Sequence, residues 1–334
     1  MPPLLQVKEL NKSFPITAGI FKRNIGSVKA VNDVSFNLNK GETLGIVGES
    51  GCGKTTLGRT LVRLYEPSSG EIYFKDINFG RLEEHELRPY RQYIQMIFQD
   101  PFSSLNPRMS IRKILEEPLV INKKGSQSSR NKKVEELIEL VGLPPSCLEL
   151  FPHEFSGGQR QRIAIARAIC LDPDLIIADE PVSALDVSIQ SQILNLLVSL
   201  QKILGLTIIF ISHDLLVVKY ISDRIAVMYL GYIIEMGPAD QVFKNPMHPY
   251  TLALLTAIPS LDKNSKKSRI DLKGELPSPI DLPSGCPFRT RCSFKKPECA
   301  VTRPLLREPN HKSANGHQVA CHFAEEIYGV HNDS

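Results

Sequence analysis

The segment GESGCGKTT at 48–56 fits the pattern G-x-x-x-x-G-K-[ST] from Gly48 to Thr55. In such a loop Lys54 neutralises β- and γ-phosphate oxygens of a nucleoside triphosphate, and the Thr55 hydroxyl reaches Mg²⁺. Glu49, Ser50, Gly51, Cys52, Gly53 and Thr56 complete the cradle. Backbone N–H groups between Glu49 and Thr55 can converge on the phosphates, aided by the positive end of a following helix. The context is right: ETLGIV before the loop reads as an apolar strand, and TTLGRTLVRL after it as a helix. The competing reading is a chance Gly-rich turn. The Cys52 thiol, beside Lys54 and a helix N-terminus, sits where thiolate is favoured, unless the position merely needs a small residue.

Further along, LIIAD at 175–179 is an apolar run ending in acid, as a buried parallel strand ends when it presents a carboxylate at its edge. Asp179 would hold Mg²⁺ directly or through water, and Glu180 would polarise the attacking water as general base. Gln99 ends YIQMIFQ before the turn-rich DPFSSLNP, where its amide can reach the metal or the water. His213, after TIIFIS, can donate to the γ-phosphate and orient the water; it can equally be a helix-start histidine beside Asp214. Ser156-Gly157-Gly158-Gln159 opens GQRQRIAIARAI, a helix whose N-terminus is again an anion site. Ser156 offers a hydroxyl there, and Gly157 and Gly158 expose N–H groups.

Four of the seven cysteines, Cys286, Cys292, Cys299 and Cys321, are spaced C-x5-C-x6-C-x21-C in a Pro-rich tail with little apolar periodicity. Metal–thiolate bonds can replace hydrophobic burial in such a segment. Four sulfurs suit zinc or iron–sulfur, although the close C-x2–4-C pair usual for zinc is missing. Unligated cytosolic thiols are the plainer alternative.

Together GESGCGKTT, the Gln99 loop, FSGGQRQR, LIIADEP, SALD at 183–186 and His213 resemble the ATP-binding cassette ATPases over about residues 5–240. That resemblance implies two cassettes closing on two ATP molecules, each held between one subunit's phosphate loop and the Ser156, Gly158 and Gln159 region of the other. It implies that Phe14 stacks on adenine and that Asp186 couples the two sites. The segment PITAGIFKRNIGSVKA after Phe14 is longer than the usual hairpin of such cassettes, and its Gly and Lys/Arg content predicts an exposed loop.

The elements that must position these residues read as an α/β fold, a RecA-like P-loop core with an antiparallel β subdomain, a helical insertion and a loop-rich C-terminal extension. VNDVSFNL alternates as an exposed sheet does. About 100–171 holds no strand-like run, and KKVEELIELVGL is amphipathic. SIQSQILNLLVSLQKIL puts Ile189, Ile193, Leu196, Leu197, Leu200 and Leu204 on one face, read as core. The expected domains are 1–240, the nucleotide-binding part, and 241–334, with a Pro/Ser/Lys-rich linker or extension at 259–287. Residues 263–334 hold 12 Lys/Arg against 8 Asp/Glu, so the net +4 lies in the tail, and no basic stripe suggests nucleic acid. No signal peptide or stretch of membrane-crossing length is expected, and the odd, scattered cysteines argue against a secreted disulfide scaffold.

NPMHPYTLALLTAIPS at 245–260, GELPSPIDLPSGCPF after it and SLNPRMSI at 104–111 resemble the second ATPase of oligopeptide and dipeptide importers. This resemblance implies ATP hydrolysis driving peptide uptake at the cytoplasmic face of the membrane. Its implied partners are a paralogous ATPase in a heterodimer, two membrane-spanning permease subunits and an extracytoplasmic peptide-binding protein. It also implies a [4Fe–4S] cluster at Cys286, Cys292, Cys299 and Cys321, with Zn²⁺ the alternative, beside ATP and Mg²⁺. The alternatives from other classes are a soluble ATPase of the same superfamily acting on nucleic acid or ribosomes, and a regulatory ATP-binding module without turnover.

Overall fold

The structure, a computed structural model, describes residues 2–18, 23–258, 274–310 and 316–332. In chain order the strands are β1 (Leu5–Ala18), β2 (Arg23–Leu38), β3 (Thr43–Val47), β4 (Ser69–Phe74), β5 (Ile77–Asn78), β6 (Ile94–Ile97), β7 (Leu175–Asp179), β8 (Thr207–Ser212), β9 (Arg224–Tyr229), β10 (Tyr232–Pro238) and β11 (Gln318–Val319). The chain forms two compact units. One comprises Met1–Leu38, Leu44–Gly80 and Ser212–Ser334, the other Asn39–Thr43 and Arg81–Ile211.

In the first unit an antiparallel sheet has the order β2-β1-β4-β5. Asn32, Val34, Phe36 and Leu38 are buried while Asp33, Ser35 and Asn37 are exposed, an alternation of period two; Val31 is buried out of phase, where the register with β1 shifts. The segment expected as an exposed loop after Phe14 is instead largely hairpin. Pro15 faces Ser27, Ile16 faces Gly26, Thr17 faces Asn24 and Ala18 faces Arg23. The two arms satisfy each other's backbone groups whatever their composition, so Gly and Lys/Arg content was a poor guide. Residues 19–22 lie outside the described residues.

The same unit lays β3 beside β9 in parallel, with β10 and β11 following antiparallel. A buried carboxylate ties its C-terminal tail to β10. Glu235 accepts the N–H of Met247 at 2.7 Å and of His248 at 3.1 Å, and lies 2.8 Å from Nε2 of His317. Those partners offset the cost of burying the charge. Residues 259–273, most of the expected linker, lie outside the described residues.

In the second unit β6, β7 and β8 run parallel. LIIAD and TIIFIS are buried at every position, as strands covered on both faces must be. Between β6 and β7 the chain is helical: Pro101–Ser104, Ile111–Ile121, Gln127–Leu140 and Gly157–Ile169, with short 3₁₀ turns. Val134, Leu137 and Ile138 form the buried side of Gln127–Leu140, each side chain contributing about 1.5–3 kcal/mol. Helix Val187–Leu204 departs from expectation. It buries Ile193, Leu194, Leu197 and Leu200, whereas Ile189 and Leu196 are half-buried and Leu204 is exposed. The buried face is turned toward Leu194, and the last turn runs past the core. Among the described residues no helix is long and apolar enough to cross a membrane.

Candidate functional site

The phosphate loop leaves β3 and enters helix Lys54–Leu61, whose cap is Gly53 at φ 107°. A Cβ on Gly53 would stand 2.0 Å from the Ala30 carbonyl oxygen, so both the conformation and the space demand glycine. Lys54 is 4% exposed, and its ammonium donates to the Gly48 carbonyl at 2.7 Å and the Glu49 carbonyl at 2.9 Å. Two N–H groups expected in the cradle are engaged elsewhere. Glu49 N–H donates to the Tyr250 hydroxyl at 2.8 Å, and Cys52 N–H to the Glu49 carbonyl at 3.2 Å. The sequence could not show this, because Tyr250 is 201 residues away.

Of the two readings of Cys52, the small buried residue fits the structure and the thiolate does not. Cys52 is buried beneath the loop, and burial, outweighing the nearby Lys54 charge, pushes its thiol up to about 11. The group is a neutral thiol rather than a thiolate. Phe14 is half-buried, meets Tyr65 edge-on at 5.2 Å and carries the Lys12 ammonium 4.8 Å from its ring centre. Thr55 is half-buried at the start of its helix. His213 is exposed just after β8. Asp214 caps the next helix, accepting the N–H of Leu216 at 2.8 Å and of Val217 at 3.3 Å.

In the second unit Asp179 is fully buried at the end of β7. Glu180 follows at φ 45°, a left-handed conformation that costs a non-glycine residue about 1 kcal/mol or more. Its N–H donates to the Ile211 carbonyl at 3.0 Å, and its carbonyl accepts the Ser183 hydroxyl at 3.1 Å. Gln99, 81 residues earlier, donates from Nε2 to Glu180 Oε2 at 3.3 Å. The structure thus brings together the amide and the carboxylate that sequence placed on separate strands.

Ser156 caps helix Gly157–Ile169 reciprocally. Its Oγ accepts the Gln159 N–H at 3.4 Å, and Gln159 Oε1 accepts the Ser156 N–H at 2.9 Å. Gly158 is buried, and a Cβ there would lie 2.5 Å from Ile189 Cγ2. Close packing against helix Val187–Leu204 is thus a reason for glycine that the expectation of an exposed N–H missed. Asp186, whose side chain is exposed, stands at the N-cap position of that same helix without a side-chain capping bond.

The HPYT tetrapeptide has a physical reading. His248 is buried and caps helix Pro249–Thr256, its Nδ1 accepting the Tyr250 N–H at 3.1 Å. Pro249 suits the first turn, and Tyr250 reaches the phosphate loop. Burial depresses the His248 pKa from 6.5 to about 3. The folded state holds the ring neutral while the unfolded chain protonates it. The associated stability is fully present above about pH 6.5 and lost as pH falls toward 3, by up to about 1.4 kcal/mol per pH unit. The melting temperature of His248→Gln is therefore expected to fall less steeply with acid than that of the parent between about pH 6 and 4. Parallel slopes would remove His248 from that role.

Cys286, Cys292, Cys299 and Cys321 line one cavity with His248 and Phe288. Burial pushes Cys286 up to about 11 and Cys321 up to about 12; Cys299 and Cys292 raise Cys286 further, and Cys286, Cys292 and Cys299 raise Cys321. Among the described residues no three His, Cys, Asp or Glu side chains are placed to hold a single metal ion.

The sequence profile of the ABC transporter family matches residues 31–183. That of the oligopeptide/dipeptide transporter C-terminal region matches 234–299. The oligopeptide transport ATP-binding protein AppF of Bacillus subtilis is 55% identical over 96% of this chain and 97% of its own. The dipeptide transport ATP-binding protein DppF of Escherichia coli is 49% identical over 97% and 95%. Among solved structures, the cassette MJ0796, a dimer in a post-hydrolysis state with ADP and Pi, superposes with a TM-score of 0.63. It is 30% identical, over 70% of this chain and 98% of that one.

Proposed function

The chain belongs to the oligopeptide/dipeptide importer branch of the ABC transporter ATPases, the subunits whose ATP hydrolysis powers peptide import, and from that premise we propose how its residues divide the work. It works with permease subunits, peripherally at the cytoplasmic face of the membrane. The observation that carries the reading is likeness to peptide importer ATPases along nearly the whole chain, tail included. The reading as a nucleic-acid or ribosome ATPase is not favoured.

Lys54 and the loop 48–56 bind the triphosphate, and Phe14 stacks on the base. Thr55 would reach Mg²⁺ from the phosphate loop, Asp179 and Gln99 are the further residues that would hold it, and when bound it would offset negative charge on the phosphates. Glu180 takes the proton of the attacking water while Gln99 and His213 orient that water. The 3.3 Å contact between Gln99 and Glu180 supports a shared task. Ser156, Gly158 and Gln159 face the nucleotide of the partner cassette, and the capped helix N-terminus supports this by offering positive potential. The partner is a paralogous ATPase, and an extracytoplasmic peptide-binding protein delivers the cargo. Residues 1–240 form the nucleotide-binding domain, with about 100–171 its helical subdomain, and 241–334 the extension.

A [4Fe–4S] cluster at Cys286, Cys292, Cys299 and Cys321 completes the reading. Four cysteines around one cavity fit a thiolate-held group. When bound, the cluster supplies metal–thiolate bonds that fix the tail.

The helical stretch is where we expect a permease to press. Val120 and Ile121, 49% and 59% exposed, end helix Ile111–Ile121. Serine at both positions should lower peptide uptake by about tenfold or more while ATPase activity persists. Cross-links to the permease found only at 288–334 would contradict this placement.

A further inference from the structure

The carboxylate of one acid inside the phosphate loop has no part in the chemistry above. The Glu49 carboxylate accepts two hydrogen bonds from Arg291, Nη1 to Oε2 at 2.6 Å and Nη2 to Oε1 at 3.0 Å. The Arg291 side chain is 6% exposed and that of Glu49 27%. The same residue's N–H donates to Tyr250 Oη at 2.8 Å. Loop residue Glu49 is thus gripped at both backbone and side chain by the C-terminal region.

Those grips are continuous with the cysteine cavity. Arg291 directly precedes Cys292, and its N–H donates to the Phe288 carbonyl at 3.0 Å. The Tyr250 ring packs on Tyr229 at 4.8 Å and on Phe288 at 5.4 Å. Phe288 also lines the cavity.

A carboxylate beside a site for a polyanion repels it, and a shielded location strengthens the repulsion. A bidentate guanidinium both cancels that charge and fixes its geometry. We propose that Arg291 and Tyr250 are positioning residues for the phosphate loop, Arg291 also neutralising Glu49, so that ATP affinity depends on the folded cysteine-rich tail. The inference rests on the reading of 48–56 as the phosphate cradle.

Calorimetric ATP binding and steady-state hydrolysis by the full chain test it, with thermal melts confirming that each variant folds. Arg291→Met should weaken ATP binding and raise KM by about tenfold, with kcat changing by no more than about twofold. Adding Glu49→Gln to Arg291→Met should restore ATP affinity to within about threefold of the parent, because the unneutralised charge is gone. Arg291→Lys, keeping charge without the fork, should fall between. Tyr250→Phe keeps the ring packing and removes only the acceptor; a rise in KM of about threefold is expected. That variant carries the test if Arg291→Met does not fold. Parental ATP affinity in Arg291→Met, or a loss that Glu49→Gln does not relieve, overturns the charge role. Unchanged KM in Tyr250→Phe overturns the backbone grip. Lys54→Ala, run alongside, separates the two levels. Parental ATP binding by Lys54→Ala would sink the cradle reading itself. Loss of binding there, with parental Arg291→Met and Tyr250→Phe, would sink this inference alone.

Discussion

Replacing Glu180 by glutamine is expected to cut ATP hydrolysis by about 10²-fold or more while leaving ATP binding intact. The substitution is nearly isosteric. Glu180 is fixed through its backbone, by bonds to Ile211 and Ser183, and glutamine keeps all of these. It also keeps a side-chain oxygen to accept from Gln99 Nε2, the contact now 3.3 Å long. The strained φ of 45° is common to both residues. What disappears is the carboxylate's capacity to take a proton. Binding energy from the phosphate loop is unaffected, so the variant should accumulate as an ATP-held dimer, visible by size-exclusion chromatography with Mg²⁺-ATP. Near-parental hydrolysis would remove Glu180 as the base.

The second large effect concerns the tail. Protein purified without oxygen is expected to be brown, with about four irons per chain and broad visible absorbance, and Cys292→Ser should bleach it. A serine hydroxyl is a hard, weakly acidic donor that does not replace a thiolate toward iron. Burial first, and then the neighbouring cysteines, hold the thiols protonated, with Cys286 at about 11 and Cys321 at about 12. Metal binding must therefore displace those protons, and loading should weaken in acid. One equivalent of zinc with no iron, from cells supplied with both, would decide against the cluster.

The phosphate loop was legible because its strand, turn and helix are contiguous, and the left-handed turn at Gly53 belongs to that local pattern. LIIAD and TIIFIS were legible for a similar reason, since strands buried on both faces leave unbroken apolar runs. What escaped reading depends on partners distant in sequence. Arg291 meets Glu49 across 242 positions, and nothing near either residue announces the other. Gly158 reads in sequence as an exposed N–H, whereas Ile189 of a later helix packs against it. Cys52 looked activated because Lys54 is adjacent, but burial, which short-range pattern does not reveal, outweighs that charge. In helix Val187–Leu204 the period was right and the phase slightly wrong, since the neighbouring elements decide which face is covered.

The buried Glu235 bears on how this gene can be cut. Its carboxylate is 0% exposed and relies on the amides of Met247 and His248 and the ring of His317. A stop codon after residue 240 would delete every one of these and leave the carboxylate in the middle of β10 without them. It would also strip β11 from the sheet edge, exposing an unpaired strand to aggregation. The tail is therefore no detachable passenger. A minimal cassette would need Glu235 exchanged for an uncharged residue in the same step.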